Sequence, residues 1–241
     1  MTPTADLLDK KETRIRRMFG SIAPWYDTLN HLLSLNVDTH WRKALTRLVP
    51  PTPGKPVLDV CTGTGDLAFA LDRAADGRCP VTGSDFVPEM LAIARKKGAK
   101  RKAGERVTFV EADAQQLPFE SDHFDLVTVS FGLRNVTDTD KGLAEMVRVA
   151  APGGRVAVLE FSRPRGKVLG PLYQWYFRRV LPRVGNLLAK NDDSAYKYLP
   201  ESVLTFPDGE ELAAKLRSHG LKDVWFKPLT FGIATLYVGR K

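Results

Sequence analysis

Asp59, Gly63, Gly65, Asp66 and Asp85 stand at a spacing suited to holding a nucleoside. The segment Val57-Leu58-Asp59-Val60-Cys61-Thr62-Gly63-Thr64-Gly65-Asp66 reads as a buried strand, a glycine turn and a helix start. Asp85 closes the next apolar run, about 20 residues on, where an acid suits a ribose diol. Gly63-Thr64-Gly65-Asp66-Leu67-Ala68 also fits the G-x-G-x-x-G/A pattern of dinucleotide sites. Charge separates the two ligands. A pyrophosphate must approach the backbone N–H groups of the turn, and Asp59 and Asp66 would repel it there. The same acids tolerate a ligand carrying an ammonium and a sulfonium. S-adenosylmethionine has that chemistry: ribose and adenine, and no phosphate.

These residues need a scaffold, and the apolar runs supply one. Strands are predicted at Pro56–Val60, Val81–Asp85, Val107–Glu111, Leu126–Ser130 and Arg155–Glu160, with helices near Asp66–Ala75, Pro88–Lys97 and Asp140–Ala150. Such alternation specifies a parallel sheet with crossover helices. A helix near Asp208–His219 then leads to strands at Val224–Phe226 and Gly232–Val238, too close in sequence for a crossover and so antiparallel. Ligands of open α/β sheets lie beyond the carboxyl ends of the strands. Those ends give Asp59 with the glycine turn, Asp85-Phe86, Glu111-Ala112-Asp113-Ala114, and Ser130-Phe131-Gly132-Leu133-Arg134-Asn135. Phe86 can pack on adenine, and Asp113 can accept from its amino group. Any one acid could merely cap a turn; one at each of three successive strand ends is a pattern.

The 241 residues suffice for one compact domain, read as a helical cap over 1–53 and a core over 54–241. The cap divides into helices at Lys10–Phe19, Tyr26–Leu33 and Trp41–Leu48, closed by Pro50, Pro51 and Pro53. No apolar stretch reaches the ~20 residues of a membrane span, and Met1 to Arg17 lacks a signal core. Two cysteines make no disulfide framework, so a cytoplasmic setting is expected, with Cys61 a small buried residue. His31 and His40 have no third ligand at metal spacing, so no metal is expected. The net charge of +8 concentrates in Arg95–Arg106, read as a solvated helix end, and in Arg163–Arg183. In the latter, bases interleave with aromatic and aliphatic residues, which suits either an anionic membrane surface or a helix packed on the core. Nucleic acid is not indicated.

The motif Ser130-Phe131-Gly132-Leu133-Arg134-Asn135-Val136 resembles that of the UbiE family, and it lacks the D/N-P-P-Y/F sequence typical of amino-directed methyltransferases. Further stretches carry the likeness over nearly the whole chain: Met18–Ala23 with Tyr26-Asp27-Thr28-Leu29-Asn30-His31, the turn Gly63–Asp66, Pro152-Gly153-Gly154-Arg155, Leu159-Glu160-Phe161-Ser162, and Ala195-Tyr196-Lys197-Tyr198-Leu199. It departs at Ala151, where the family favours a base, in Asn36–His40, and at Asp113, where Asn is common. The resemblance implies a class I S-adenosylmethionine-dependent methyltransferase fold, α/β and Rossmann-like. Its seven-stranded, mostly parallel sheet has one antiparallel strand, with an N-terminal helical cap. It implies C-methylation of the ring of a polyprenyl quinol in menaquinone or ubiquinone biosynthesis. It places cofactor contacts at Thr64, Asp85, Asp113, Ala114 and Ser130; Asp59, Gly63 and Gly65 are added from the charge and turn argument alone.

Ring-carbon methylation needs a phenolate held in line with the methyl–sulfur bond. Arg134 could stabilise that phenolate, since an arginine is too basic for an ordinary general base. Asn135 could fix orientation, Tyr26 and Asp27 could close the cap, and Tyr196 and Tyr198 could line the quinol pocket. Structural alternatives stand beside these. Arg134 could pair with Asp138 or Asp140, and Trp25 and Tyr26 could anchor the cap as core residues. The polyprenyl tail implies a peripheral contact with the inner face of the membrane, for which Tyr173–Arg183 is the candidate; a homo-oligomer is compatible. The competing functions are a methyltransferase of another phenol or sterol, a non-catalytic cofactor-binding scaffold, an RNA methyltransferase and, least favoured, an NAD enzyme.

Overall fold

A computed structural model describes residues 12–34, 36–101, 103, 106–164 and 195–241. The element order is α1 (Glu12–Ile22), α2 (Tyr26–Leu33), α3 (Val37–Leu48), β1 (Val57–Val60), α4 (Asp66–Ala74), β2 (Val81–Asp85), α5 (Pro88–Lys100) and β3 (Val107–Glu111). It continues through β4 (Phe124–Ser130), α6 (Thr139–Val149), β5 (Ala150–Phe161), α7 (Ala195–Thr205), α8 (Glu210–Ser218), β6 (Lys222–Leu229) and β7 (Ala234–Arg240). Among the described residues the seven strands form one sheet in the order β3-β2-β1-β4-β5-β7-β6. β7 runs antiparallel to both its neighbours and the other pairs are parallel. The sheet order reverses beside β1, so the carboxyl ends of β1 and β4 flank the crevice where a ligand enters.

The strands form because their apolar residues are buried on both faces. All four residues of β1 are buried, as expected of a parallel strand sandwiched by helices. One apolar cluster joins β1 and β4 to α6 and α8. The other joins α3 to α4, with Trp41, Leu45 and Val49 packed beside Val57, Leu71 and Val81. Helix α3 therefore belongs to the core. Helices α1 and α2 instead lie over the strand ends, where Phe19, Ala23 and Tyr26 meet Phe86, Val87 and Met90 at the start of α5.

The structure departs from the sequence reading at several elements. β5 begins at Ala150, five residues before Arg155, because Phe124 pairs with Ala150 and the Lys241 backbone bonds with Gly153 and Gly154. Residues 230–232, placed partly in the last strand, form a tight turn with φ of 44°, 57° and 88°, which no strand can contain. The Trp41 indole N–H holds that turn by donating to Thr230 Oγ1 at 2.8 Å. Helix α7 was not foreseen. Pro200 lies inside it, so its stability comes from burying Tyr198, Ser202 and Val203 rather than from propensity.

Candidate functional site

The glycine turn after β1 is built by backbone geometry. Cys61 and Gly63 have φ of 52° and 56°, and Gly65 has φ 83° where it precedes α4. Those left-handed conformations suit glycine, and they turn the Gly63 N–H toward β2. Asp85 Oδ2 accepts from that N–H at 2.8 Å, and its Oδ1 accepts from the Val87 N–H at 2.9 Å. Burial pushes the Asp85 carboxyl up to about 6, against the pull of these hydrogen bonds.

A cleft of about 670 Å³, counted to its open mouth, lies against this turn. Asp85, Asp113, Ala114, Ser130 and Asn135 line it together with Gly63. They converge from the ends of β1, β2, β3 and β4. Asp113 also accepts from the Gln115 backbone at 2.9 Å and from its amide at 3.0 Å. Gln115 lines the cleft too, and nothing in its sequence context distinguished it. On the cap side the wall is Ile15, Phe19 and Tyr26. The Tyr26 ring lies against Gly63 and packs edge-on to Phe19 at 6.1 Å. Burial raises the Tyr26 phenol above its ordinary value, with the Arg134 charge opposing.

Two buried polar atoms in the lining, Ser130 Oγ and Asn135 Oδ1, have no hydrogen-bond partner among the described residues. Buried polar atoms are ordinarily satisfied, so both are poised for a ligand. The loop that carries them is tightly folded. Phe131 has φ 57°, and a Cβ on Gly132 would run into the Cys61 side chain. Cys61 lines the cleft half-buried, and desolvation holds its thiol well above the usual range, so it is no nucleophile there.

Other residues singled out from sequence sit elsewhere. Asp59 is 1% exposed beneath the turn, outside the lining, where it accepts from Thr62 Oγ1 at 2.7 Å and Thr128 Oγ1 at 2.8 Å. Burial pushes its carboxyl up to about 7. Asp66 pairs with Lys97 at 2.6 Å and Arg42 at 3.5 Å, which outweigh its burial and lower its pKa. Neither acid therefore presents a bare charge to the turn; Asp85 and Asp113 from the strand ends, and Glu12 from the cap, are the acids that line the cleft. The Thr64 hydroxyl donates to Asp27 Oδ1 at 2.5 Å, away from the lining. Lys97, assigned to a solvated stretch, is half-buried on α5, where it pairs with Asp27 and Asp66.

Arg134 is 6% exposed and stands behind the lining. It pairs with Glu160 at 2.8 Å, not with Asp138 or Asp140, because its short turn faces the end of β5. Its guanidinium also donates to the Phe131 carbonyl and lies 5.2 Å from the Phe161 ring centre. Asp138 instead caps α6, and Asp140 pairs with Lys215. Arg134 Nε and the buried Tyr198 hydroxyl have no partners among the described residues. Burial raises the Tyr198 phenol, with the Arg134 charge acting in opposition. Tyr196 lies on the first turn of α7, but its side chain is outside the described residues, as are Tyr173–Arg183. Trp25 is 63% exposed and is not a core anchor.

The model of the ubiE/COQ5 methyltransferase family matches residues 7–241. Among curated relatives, the ubiquinone/menaquinone biosynthesis C-methyltransferase UbiE of Geobacter sulfurreducens is 46% identical, covering 97% of this chain and 91% of its own. The demethylmenaquinone methyltransferase of Deinococcus radiodurans is 47% identical over 99% of this chain and 97% of its own. Its namesake from Thermus thermophilus is 49% identical over 92% and 99%. In fold, the chain is similar to a S-adenosylmethionine-dependent methyltransferase of Thermotoga maritima. That TM-score is 0.68 at 19% identity, covering 93% of this chain and 99% of the other.

Proposed function

The chain belongs to the ubiE/COQ5 methyltransferase family, and on that premise we propose that it transfers a methyl group from S-adenosylmethionine to a ring carbon of a polyprenyl quinol. The acceptor is a demethylmenaquinol or the corresponding ubiquinol precursor. One observation carries the reading: acceptor side chains from the ends of β2 and β3 meet, in a single cleft, two buried polar atoms at and beyond the end of β4, Ser130 Oγ and Asn135 Oδ1, that lack partners among the described residues. The donor set fits the cofactor. The Asp85 carboxylate suits a ribose diol, Asp113 the adenine amino group with Ala114 beside it, and Ser130 the remaining polar end. Gly63 and Gly65 give the turn its close approach, while Thr64 and Asp59 act from behind, holding its shape.

When bound, S-adenosylmethionine supplies an electrophilic methyl on a sulfonium. The protein's part is to hold the acceptor carbon in line and to favour the phenolate. Arg134 acts electrostatically from beneath the β4 loop, its orientation fixed by Glu160. Arg134 Nε and the Tyr198 hydroxyl, which lack partners among the described residues, stand outside the cleft lining, and Asn135, which lines it, sets the ring's orientation. Ile15, Phe19 and Tyr26 exclude water from above. Tyr196 is assigned to the same quinol pocket because an aromatic face suits the quinol ring, and contact with the membrane surface is assigned to Tyr173–Arg183.

The test is calorimetric titration of S-adenosylmethionine and of NAD, followed by incubation with demethylmenaquinol and with a demethylated benzoquinol. Binding of S-adenosylmethionine alone, then a single added ring methyl by mass spectrometry, is the expected result. Preference for NAD, or binding without methylation of either ring, would overturn it.

A further inference from the structure

We propose that Lys97 is a positioning residue that latches the cap onto the glycine turn and so sets how long the cofactor stays bound. The inference rests on the reading that S-adenosylmethionine occupies the cleft. Lys97 Nζ donates to Asp27 Oδ2 at 2.8 Å, to Thr64 Oγ1 at 3.1 Å and to Asp66 Oδ1 at 2.6 Å. One ammonium thus uses its three donors on α2, the turn and α4. Asp27 is shared with Thr64, whose hydroxyl donates to its other oxygen at 2.5 Å.

The charges form an alternating chain that crosses between cap and core. Asp27 meets Lys97, Lys97 meets Asp66, Asp66 meets Arg42, and Arg42 meets Asp38. Asp27 belongs to the cap helix α2, whereas Lys97, Asp66 and Arg42 belong to the core. The side chains of Lys97, Asp66 and Arg42 are 18%, 23% and 14% exposed, so solvent screens them less than it would surface pairs.

The latch bears on the cofactor through chain neighbours. Tyr26, next to Asp27, lies against Gly63 and walls the cleft. Thr64 follows Gly63, whose N–H is held by Asp85. Lifting Tyr26 from the cleft moves Asp27, and that breaks its bonds to Lys97 and Thr64. Release of a ligand beneath Tyr26 therefore meets the latch as part of its barrier, as with other lids.

Dissociation of S-adenosylmethionine, followed by stopped-flow displacement, tests this. Lys97→Met should raise the dissociation rate about tenfold or more with little change in Tm, and should expose residues 12–33 of the ligand-free chain to trypsin. Lys97→Met with Asp27→Asn removes the stranded carboxylate while leaving Asp66 with Arg42, and it should release equally fast. An unchanged dissociation rate in Lys97→Met overturns the latch. So does a return to the wild-type rate in the double variant, since stranded charge alone would then explain the single one. Failure of the wild type to bind S-adenosylmethionine would defeat the reading of the cleft instead. The latch would then stand or fall on the trypsin result.

Discussion

Asp59 and Asp85 stand near the ends of adjacent strands two residues apart in register, since Asp59 pairs with Gly83 and Val60 with Ser84, yet they have different work. Asp85 reaches the cleft and fastens the turn; Asp59 is sealed beneath it. Each is raised by burial, Asp85 to about 6 and Asp59 to about 7, and the consequences differ. As pH falls through about 6, the free protein protonates Asp85 and loses a carboxylate acceptor for the ribose. Affinity for S-adenosylmethionine should therefore decline on the acid side of that point. Asp85→Asn should weaken binding about 10- to 100-fold, the worth of a charged hydrogen bond, and flatten the pH profile; calorimetry across that range reads both. For Asp59 the effect is on stability. Its folded pKa lies above the ordinary 3.8, so the native state binds the proton more tightly. The resulting stabilisation is complete below 3.8 and is lost as pH rises through about 7. Compared with Asp59→Asn, the wild type should lose on the order of a few kcal/mol over that window. Parallel thermal melts of the two proteins at several pH values would show it as a steadily changing difference in Tm.

The elements fix where such acids stand, and the β4 loop is the tightest of them. Gly132 has an ordinary negative φ, so its constraint is space, not conformation. A methyl there meets the Cys61 side chain. Gly132→Ala should destabilise by about 1–3 kcal/mol as an overpacked site, and Cys61→Gly in the same chain should restore part of the loss. Denaturant melts would measure both. Elements of this kind were legible unevenly. The strands β1 to β4 announced themselves because continuous apolar runs bounded by polar turns admit few other readings. Their ends therefore located Asp85, Asp113 and Ser130 before any geometry was known. Helix α7 did not, because Pro200 and the run Tyr196-Lys197-Tyr198 carry no helical periodicity, and only contacts with distant parts of the chain hold it. Lys97 was hidden for a related reason. In a sequence it is one base among many, and only the fold brings Asp27 and Asp66 against it. The partner of Arg134 was equally invisible, since Glu160 is 26 residues away and meets it through the pairing of β4 with β5.

At the scale of the whole molecule, the proposed substrate poses the problem of how a polyprenyl tail would reach the cleft. No helix among the described residues is long and apolar enough to cross a membrane. The cleft lies on the face formed by the carboxyl ends of the parallel strands, beneath α1 and α2. A tail must enter from that side or be delivered to it. The chain carries a net charge of +8, which favours approach to anionic lipid, and the segment Tyr173–Arg183 concentrates bases among aromatic residues. Placing the contact there gives a separable prediction. Arg178→Glu with Arg179→Glu should weaken partitioning onto phosphatidylserine-containing vesicles by roughly 30-fold or more, taking ~1 kcal/mol for each lost base. Calorimetric affinity for S-adenosylmethionine should stay as it was, because the cleft residues are untouched. Turnover should fall with long-chain quinol in vesicles and hold with a short-chain analogue in solution. If vesicle binding is unchanged in sedimentation, the contact is not at these arginines. If turnover of the short-chain analogue falls equally, the segment serves the reaction itself and not the approach to the membrane.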